Sequence, residues 1–256
     1  MGINNYDVIA DLYDTFADAS YDIDFFINET QKTSGEVLEL MSGTGRVSVP
    51  LLEAGVKLTC VDISPKLNAI FKSKLEQKGL KAEIYPMDVC RLDLPKKYDM
   101  IIIPLYSFAH IVSTDDQRSA LTRIHQHLLP GGTFICTLRN PTLREQIVDG
   151  QLRLIEKYPL VRDQGTLLFW IMEQRDPEDD HVVNGMEFFE EYDADGVLKA
   201  KRLMELRFRL SRRDEFEHLL TSSGFSIKAF YGDYTYTEFD EASSPYMIWV
   251  MGKNFV

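Results

Sequence analysis

Basic residues are in the minority: 28 Lys and Arg stand against 40 Asp and Glu, a formal net charge of −12. Such a surface repels phosphate backbones, so nucleic-acid partners are disfavoured. Long apolar runs are missing too; none approaches the roughly 20 residues of a membrane-spanning helix, so no membrane association is expected. Cysteine is scarce. Cys60, Cys90 and Cys136 have neither CxxC nor zinc-ligand spacing, so no disulfide framework and no metal site are expected. Cys60 and Cys136 lie inside apolar runs (LTCVDI and FICTL) and read as small buried residues of a reducing compartment. The opening MGINNYDVIADLYD lacks the positive region and apolar core of a secretory signal, and the cytoplasm is the expected location. Repeats and low-complexity tracts are absent. DADG resembles the start of a calcium loop, but Met204 stands where that loop needs its glutamate, so a hairpin turn is expected.

What is present alternates. Apolar runs at 36–41, 57–64, around IYP, at 98–105 and at 133–139 read as strands, with helical stretches at 46–54, from Pro65 to about Gln77, and from a Thr114 cap through HQHLL, closed by Pro130-Gly131-Gly132. YDMIIIPL is apolar almost throughout, as a strand covered on both faces should be. Repeated βα units imply an α/β, doubly wound, mostly parallel sheet with right-handed crossovers. Between 151 and 210 the pattern changes to three antiparallel strands, TLLFWIMEQ, MEFFEEYD and LKAKRLMELRFRL, turning at DPEDD and DADG. Ser211 then reads as the cap of a helix. FSIKAFYGDY and YMIWVMGK follow as two strands that pair antiparallel if adjacent. The expected organisation is residues 1–150 as a lid segment plus the main α/β unit, 151–210 as an inserted antiparallel cap, and 211–256 completing the first unit.

The stretch VLELMSGTGRVSVPLLEAG carries the chemistry. Gly43 and Gly45 permit positive φ and close backbone approach where a strand meets a helix, at the sheet edge where doubly wound folds bind ligands. No Gly-Lys-Ser/Thr follows, which excludes a P-loop. A dinucleotide fingerprint would place Gly or Ala where Ser48 stands. Glu39, at the end of the preceding strand, would repel a pyrophosphate and favour a cation. Asp62 closes the second strand and can accept two ribose hydroxyls; Asp88 follows the third, where its carboxylate and the Val89 amide can read an adenine edge. Three carboxylates at three successive strand ends suit a phosphate-free, sulfonium-bearing nucleoside.

Here the sequence resembles the class I S-adenosylmethionine-dependent methyltransferases. ELMSGTGR is similar to their first motif, with Ser42 in place of one glycine; VDIS, MDV and YDMIIIPLYSFAHI are similar to the second, third and fourth. The cap and the ending YGDY…SPYMIWVMGK resemble the small-molecule group, glycine/sarcosine and aminosugar N-methyltransferases in style. The resemblance implies a seven-stranded Rossmann-like sheet with one antiparallel strand. It also implies S-adenosylmethionine as cofactor, with S-adenosylhomocysteine as product, and contacts from Tyr13, Glu39, Leu40, Met41, Gly43, Gly45, Arg46, Asp62, Ile63, Met87, Asp88, Val89, Pro104 and Leu105.

Such an enzyme holds nucleophile and methyl group in line at ~3–3.5 Å and keeps water out. A neutral amine needs little acid–base help, whereas a hydroxyl needs a base. His110, just past the fourth strand, is the base candidate, against a packing role; Tyr106 is the substrate-contact candidate, against simple coverage of the sheet edge. Arg46 is read as meeting the methionine carboxylate or forming a surface salt bridge. Phe169, Trp170, Phe188, Phe189 and Tyr192 either line a substrate pocket or form strand core. The expected partner is a small-molecule methyl acceptor at an N or O atom, and the chain is expected to be a monomer or homodimer. Two alternatives remain open: an NAD(P)-dependent oxidoreductase, and a non-catalytic adenosyl-ligand-binding protein on the same fold.

Overall fold

The computed structural model describes residues 4–160 and 164–253. A 3-10 turn at Tyr6–Val8 precedes two short helices, α1 (Tyr13–Phe16) and α2 (Ile23–Thr30). There follow β1 (Glu36–Leu40), α3 (Ser48–Glu53), β2 (Lys57–Asp62), α4 (Pro65–Lys78), β3 (Glu83–Pro86) and β4 (Tyr98–Ile103). A 3-10 turn at Ser107–His110 leads to α5 (Thr114–His127), β5 (Leu128–Arg139) and α6 (Pro141–Arg144). Four strands come next, β6 (Leu152–Leu160), β7 (Gly165–Arg175), β8 (Val182–Tyr192) and β9 (Leu198–Arg209). The last elements are α7 (Arg213–Ser222), β10 (Phe225–Tyr231) and β11 (Tyr246–Lys253).

Seven strands form one sheet in the order β10-β11-β5-β4-β1-β2-β3, with β11 antiparallel to both neighbours and the β1–β5 pairs parallel. The α/β doubly wound expectation therefore holds. The apolar β4 is covered on both faces. Ile101 and Ile103 pack with Leu121, Ile124 and Phe216 of α5 and α7, while Met100 and Ile102 pack with Phe25, Phe26 and Phe71 of α2 and α4. Cys60 and Cys136 are fully buried in these layers.

The second sheet is antiparallel, β6-β7-β8-β9. It has four strands where the sequence reading found three. The missed strand, QLRLIEKYPL, carries charges and Pro159, and it lies at the sheet edge, where a missing N–H is tolerated. Two helix caps also differ. Ser113, not Thr114, accepts from the Asp116 amide to start α5. The last helix begins at Arg213, which puts Glu215 at the capping-box position, its carboxylate accepting from the Arg212 amide. Pro130-Gly131-Gly132 does not close a helix; α5 ends at His127 and the three residues form an irregularity early in β5.

The N-terminal segment joins the two sheets. Ile9 and Leu12 pack on Leu167, Phe169, Phe189 and Met204 of the inserted sheet. Asp14 accepts from Thr44 of the glycine turn (2.6 Å) and pairs with Lys74 of α4 (2.7 Å). Asn4 exchanges hydrogen bonds with the Arg207 backbone of β9.

Candidate active site

Backbone strain marks the carboxyl ends of the parallel strands. Met41 after β1, and Leu105 with Tyr106 after β4, hold positive φ of 59°, 52° and 51° despite their side chains. Such conformations persist where the surroundings impose them, commonly at ligand sites. Gly43 takes the same region at no steric cost, and an added Cβ there would touch Tyr13 and Leu67. Gly45 has another reason to be glycine: a Cβ would lie 2.2 Å from the Phe71 ring of α4.

A cavity of about 790 Å³ opens at these strand ends. Met41, Gly43, Asp62, Ile63, Met87, Asp88, Val89, Tyr13 and His110 line it, together with Tyr6, Leu67 and Cys90. Asp62 accepts from the Gly43 amide (2.7 Å) through one oxygen and from the Ser64 amide (2.8 Å) through the other. Burial raises its pKa, and the two amides oppose that shift. Asp88, in the cavity lining, caps the next turn by accepting from the Cys90 amide (2.9 Å). Ile63 is 68% exposed, an apolar side chain left uncovered beside the carboxylates. Arg207 and Arg209 also line it and are paired with Asp176 (2.9 Å) and Asp179 (2.7 Å).

Several expected residues lie elsewhere. Glu39 is sealed beneath the glycine turn, 2% exposed, with its carboxylate accepting from Ser48 Oγ at 2.6 Å. Burial pushes its pKa up to about 8. Leu40 and Gly45 are likewise packed behind the turn, and Pro104 is buried at the end of β4. Arg46 is committed to a bidentate pair with Asp22 (2.6 Å to each oxygen), Asp22 being fully buried. Its salt bridge is thus an interior one, because α2 folds back over the helix that Arg46 precedes. Leu105 and Tyr106 line a second cavity instead of the first.

That second cavity, of about 370 Å³, lies between the main sheet and the inserted one. Phe169 and Ile171 of β7, Leu206 and Phe208 of β9, and Phe16 give it apolar walls. Glu173, Glu187, Arg139 and Arg144 also reach it. Tyr106 accepts from Arg139 (2.6 Å), and the same guanidinium lies 4.2 Å from the Tyr106 ring centre. Of the five aromatics weighed from the cap, Phe169 lines this cavity and Phe189 stacks on it from the core. Trp170 and Tyr192 hydrogen-bond Glu190, and Phe188 lies under Lys201. Strand alternation puts those three on the opposite face.

The two cavities meet. Tyr6, Tyr13, Ser107 and His110 line both, and the Tyr6 and Tyr13 rings meet edge to face with centres 5.6 Å apart. Of the N-terminal lid segment only Tyr13 is expected as a contact from sequence; Tyr6 and Asn4 join it here, because the pattern of a segment alone does not say which of its residues reach a site. Arg207's amide donates to Asn4 Oδ1 (2.6 Å), so Asn4 Nδ2 is the atom that faces His110 Nδ1 at 2.9 Å. An amide NH₂ only donates, so Nδ1 accepts and the imidazole proton sits on Nε2, 3.3 Å from the Tyr6 hydroxyl. Burial drops the His110 pKa to about 4. Both ring nitrogens are therefore occupied, and the geometry disfavours His110 as the base expected above.

Residues 37–132 match the methyltransferase-domain family. A glycine/sarcosine N-methyltransferase of Halorhodospira halochloris is 29% identical over 96% of this chain and 85% of its own length. The protein is an S-adenosylmethionine-dependent methyltransferase with an α/β methyltransferase fold. Two solved structures share the fold of this methyltransferase. A S-adenosylmethionine-dependent methyltransferase from Clostridium acetobutylicum superposes with a TM-score of 0.82 at 21% identity, covering 98% of this chain and 99% of that one. The CcbJ methyltransferase from Streptomyces caelestis gives 0.82 at 22% identity, covering 96% of each chain. S-adenosylmethionine is the cofactor, and the oxidoreductase alternative is not favoured. The residues of the larger cavity fit the cofactor's chemistry: two carboxylates, exposed apolar side chains and a glycine turn offer hydroxyl acceptors and flat apolar surface to a nucleoside. Among the described residues, no helix of the methyltransferase is long and apolar enough to cross a membrane.

Proposed function

We propose that this methyltransferase methylates the nitrogen of a small-molecule amine. The carrying observation is the pair of cavities that share the wall of Tyr6, Tyr13 and His110, the larger suited to the cofactor and the smaller to an acceptor. When bound, the cofactor supplies an electrophilic methyl group on a sulfonium. Asp62 accepts its ribose hydroxyls, Asp88 and the Val89 amide read the adenine edge, and Ile63 and Met87 flank the base. Met41, Gly43 and Tyr13, which line the same cavity, would complete the cofactor's surroundings. Tyr6 and Tyr13 screen the transfer point from water, and the inserted sheet roofs the acceptor.

Nitrogen is preferred over oxygen for two reasons. The relative from Halorhodospira halochloris is a glycine/sarcosine N-methyltransferase. In addition, His110, the base that a hydroxyl would require, has its accepting nitrogen taken by Asn4. The apolar walls and the 370 Å³ volume leave room for acceptors larger than glycine.

The test is methyl transfer from labelled S-adenosylmethionine to parallel panels of small amines, amino acids and alcohols. A methylated amine with stoichiometric S-adenosylhomocysteine is expected. Methylation confined to alcohols would overturn the nitrogen assignment.

A further inference from the structure

Glu187 is the carboxylate of the acceptor cavity that, among the described residues, has neither a hydrogen bond nor an ion pair. It sits on β8 between Ile171 of β7 and Met204 of β9, so its side chain emerges from an apolar patch of the inserted sheet. It lines the acceptor cavity. Among the described residues, no hydrogen bond or ion pair reaches its carboxylate. Its neighbours on the same strand differ: Glu190, on the outer face, bonds Lys201, Trp170 and Tyr192, and Glu191 bonds Arg202.

The charged groups around it do not supply a partner. Glu173 of β7 is a second carboxylate and is held by Arg144 of α6, whose other terminal nitrogen, Nη1, is buried without a bond. Tyr6 and Tyr13 face it from the N-terminal segment. β9 contributes the apolar Leu206 and Phe208. The remaining basic groups of the cavity, Arg139, His110 and Arg209, are bonded to Tyr106, Asn4 and Asp179. A half-buried carboxylate held among apolar side chains destabilises its own ionised form unless a cation arrives.

We infer that Glu187 is a catalytic residue that binds the acceptor as an ammonium ion and takes the proton the nitrogen must lose. This rests on the amine reading above. The sequence of events balances. Glu187, ionised, pairs with the ammonium across the apolar floor. An N–H proton moves to the carboxylate. The freed lone pair forms the N–C bond as the C–S bond breaks, its electron pair going to sulfur. The product leaves as a methylated ammonium, and Glu187 returns its proton to solvent. The acceptor class follows: aliphatic amines that are cationic in solution, whose charge the site recognises and then removes.

Two features support the assignment. The pKa of Glu187 is pushed up to about 8, by burial first and Glu173 second, against the opposing charge of Arg144, so the group exchanges a proton near neutral pH. The Tyr6 ring, at the wall shared with the cofactor cavity, is in the electrostatic reach of Glu187, which sets the carboxylate on the acceptor side of the transfer point.

The experiment uses dimethylammonium as the binding probe and sarcosine with dimethylammonium as acceptors. Calorimetry of dimethylammonium binding to the protein–S-adenosylhomocysteine complex is run at pH 7 in buffers of different ionisation enthalpy. Because Glu187 is mostly protonated there, wild type is expected to release close to one proton per bound cation. Glu187→Gln is expected to release none and to bind at least tenfold more weakly. Its kcat/KM should fall about 100-fold, and the limb of the wild-type pH profile that rises toward pH 8 should vanish. Glu190→Gln, on the outer face, should keep both signatures. If wild type releases no proton or does not bind dimethylammonium, the assignment is overturned without recourse to any variant. If Glu187→Gln methylates amines with the wild-type pH profile, Glu187 is not the base, and nitrogen methylation stands without it. If wild type methylates only hydroxyl acceptors, the amine reading fails and takes this inference with it.

Discussion

Glu39, buried, and Glu187, half-buried, are both glutamates on strands, both with a pKa raised to about 8, and they do opposite work. Glu39 belongs to the parallel sheet and is sealed under the glycine turn, its carboxylate bonded by Ser48, whose own hydroxyl accepts from Cys60. Glu187 belongs to the inserted antiparallel sheet, opens onto a cavity and, among the described residues, has no hydrogen bond or ion pair. A raised pKa therefore does not by itself distinguish a structural acid from a reacting one. Access and partners do. The cofactor side of the molecule is built from groups that already satisfy one another, and the acceptor side from a group waiting for a ligand.

The sharpest way to break the sealed half is to remove its cation. Arg46→Ala leaves the fully buried Asp22 uncompensated, and a loss of about 3–5 kcal/mol is expected in urea or thermal unfolding. If Arg46 served mainly a ligand, stability would hardly change and only cofactor affinity would drop. Glu39→Gln tests the same half with the opposite sign. In the wild type the unfolded chain ionises Glu39 above about pH 4.5 while the folded chain keeps it protonated until about 8. Stability is thus full below the lower value and is lost as pH rises toward the upper one. Glutamine mimics the protonated acid and can still accept from Ser48. The variant should match wild type near pH 4.5 and exceed it by up to about 4 kcal/mol at pH 8.5. A constant difference across that range would show that Glu39 is ionised in the fold.

Asp62→Ala reaches the cavity rather than the seal. Two ribose acceptors would be lost, along with bonds from the Gly43 and Ser64 amides. Cofactor affinity should weaken by about 1.5–3 kcal/mol, roughly 10- to 100-fold, in calorimetric titration. Unchanged affinity would move the ribose away from β2.

These contrasts also show what was legible in the sequence. Parallel strands buried on both faces read as unbroken apolar runs, and the turn glycines and strand-end carboxylates interrupt them visibly, so the sheet and the placement of Asp62, Asp88 and Gly43 could be read directly. Which neighbours close over a residue could not. Glu39 looked like a ligand for a cation because Ser48 reaches it only once α3 has folded back. Glu187 was hidden among the three glutamates of MEFFEEYD. Period two separates 187 and 189 from 188 and 190, but only pairing with Ile171 and Met204 tells which face is inside. The β6 strand was lost to Pro159 and its charges, and Arg46's partner was lost because Asp22 lies 24 residues away.

His110 offers the finest test, because it separates holding from reacting within one contact. Its Nδ1 lone pair is taken by Asn4 and its Nε2 proton points at Tyr6, so the ring ties the N-terminal segment to the wall between the cavities. Its depressed pKa, about 4, keeps it neutral across the working range. Its stabilising contribution is present above pH 6.5 and is lost as pH falls toward 4. His110→Ala should therefore loosen Tyr6 and lower kcat/KM about tenfold, the scale of one lost hydrogen bond. The shape of the pH profile from 5.5 to 8 should stay as it was, since Glu187 sets the limb in that window and His110 has none there. A variant that loses the rising limb instead would return the proton to His110 and leave Glu187 as an anchor for the ammonium alone.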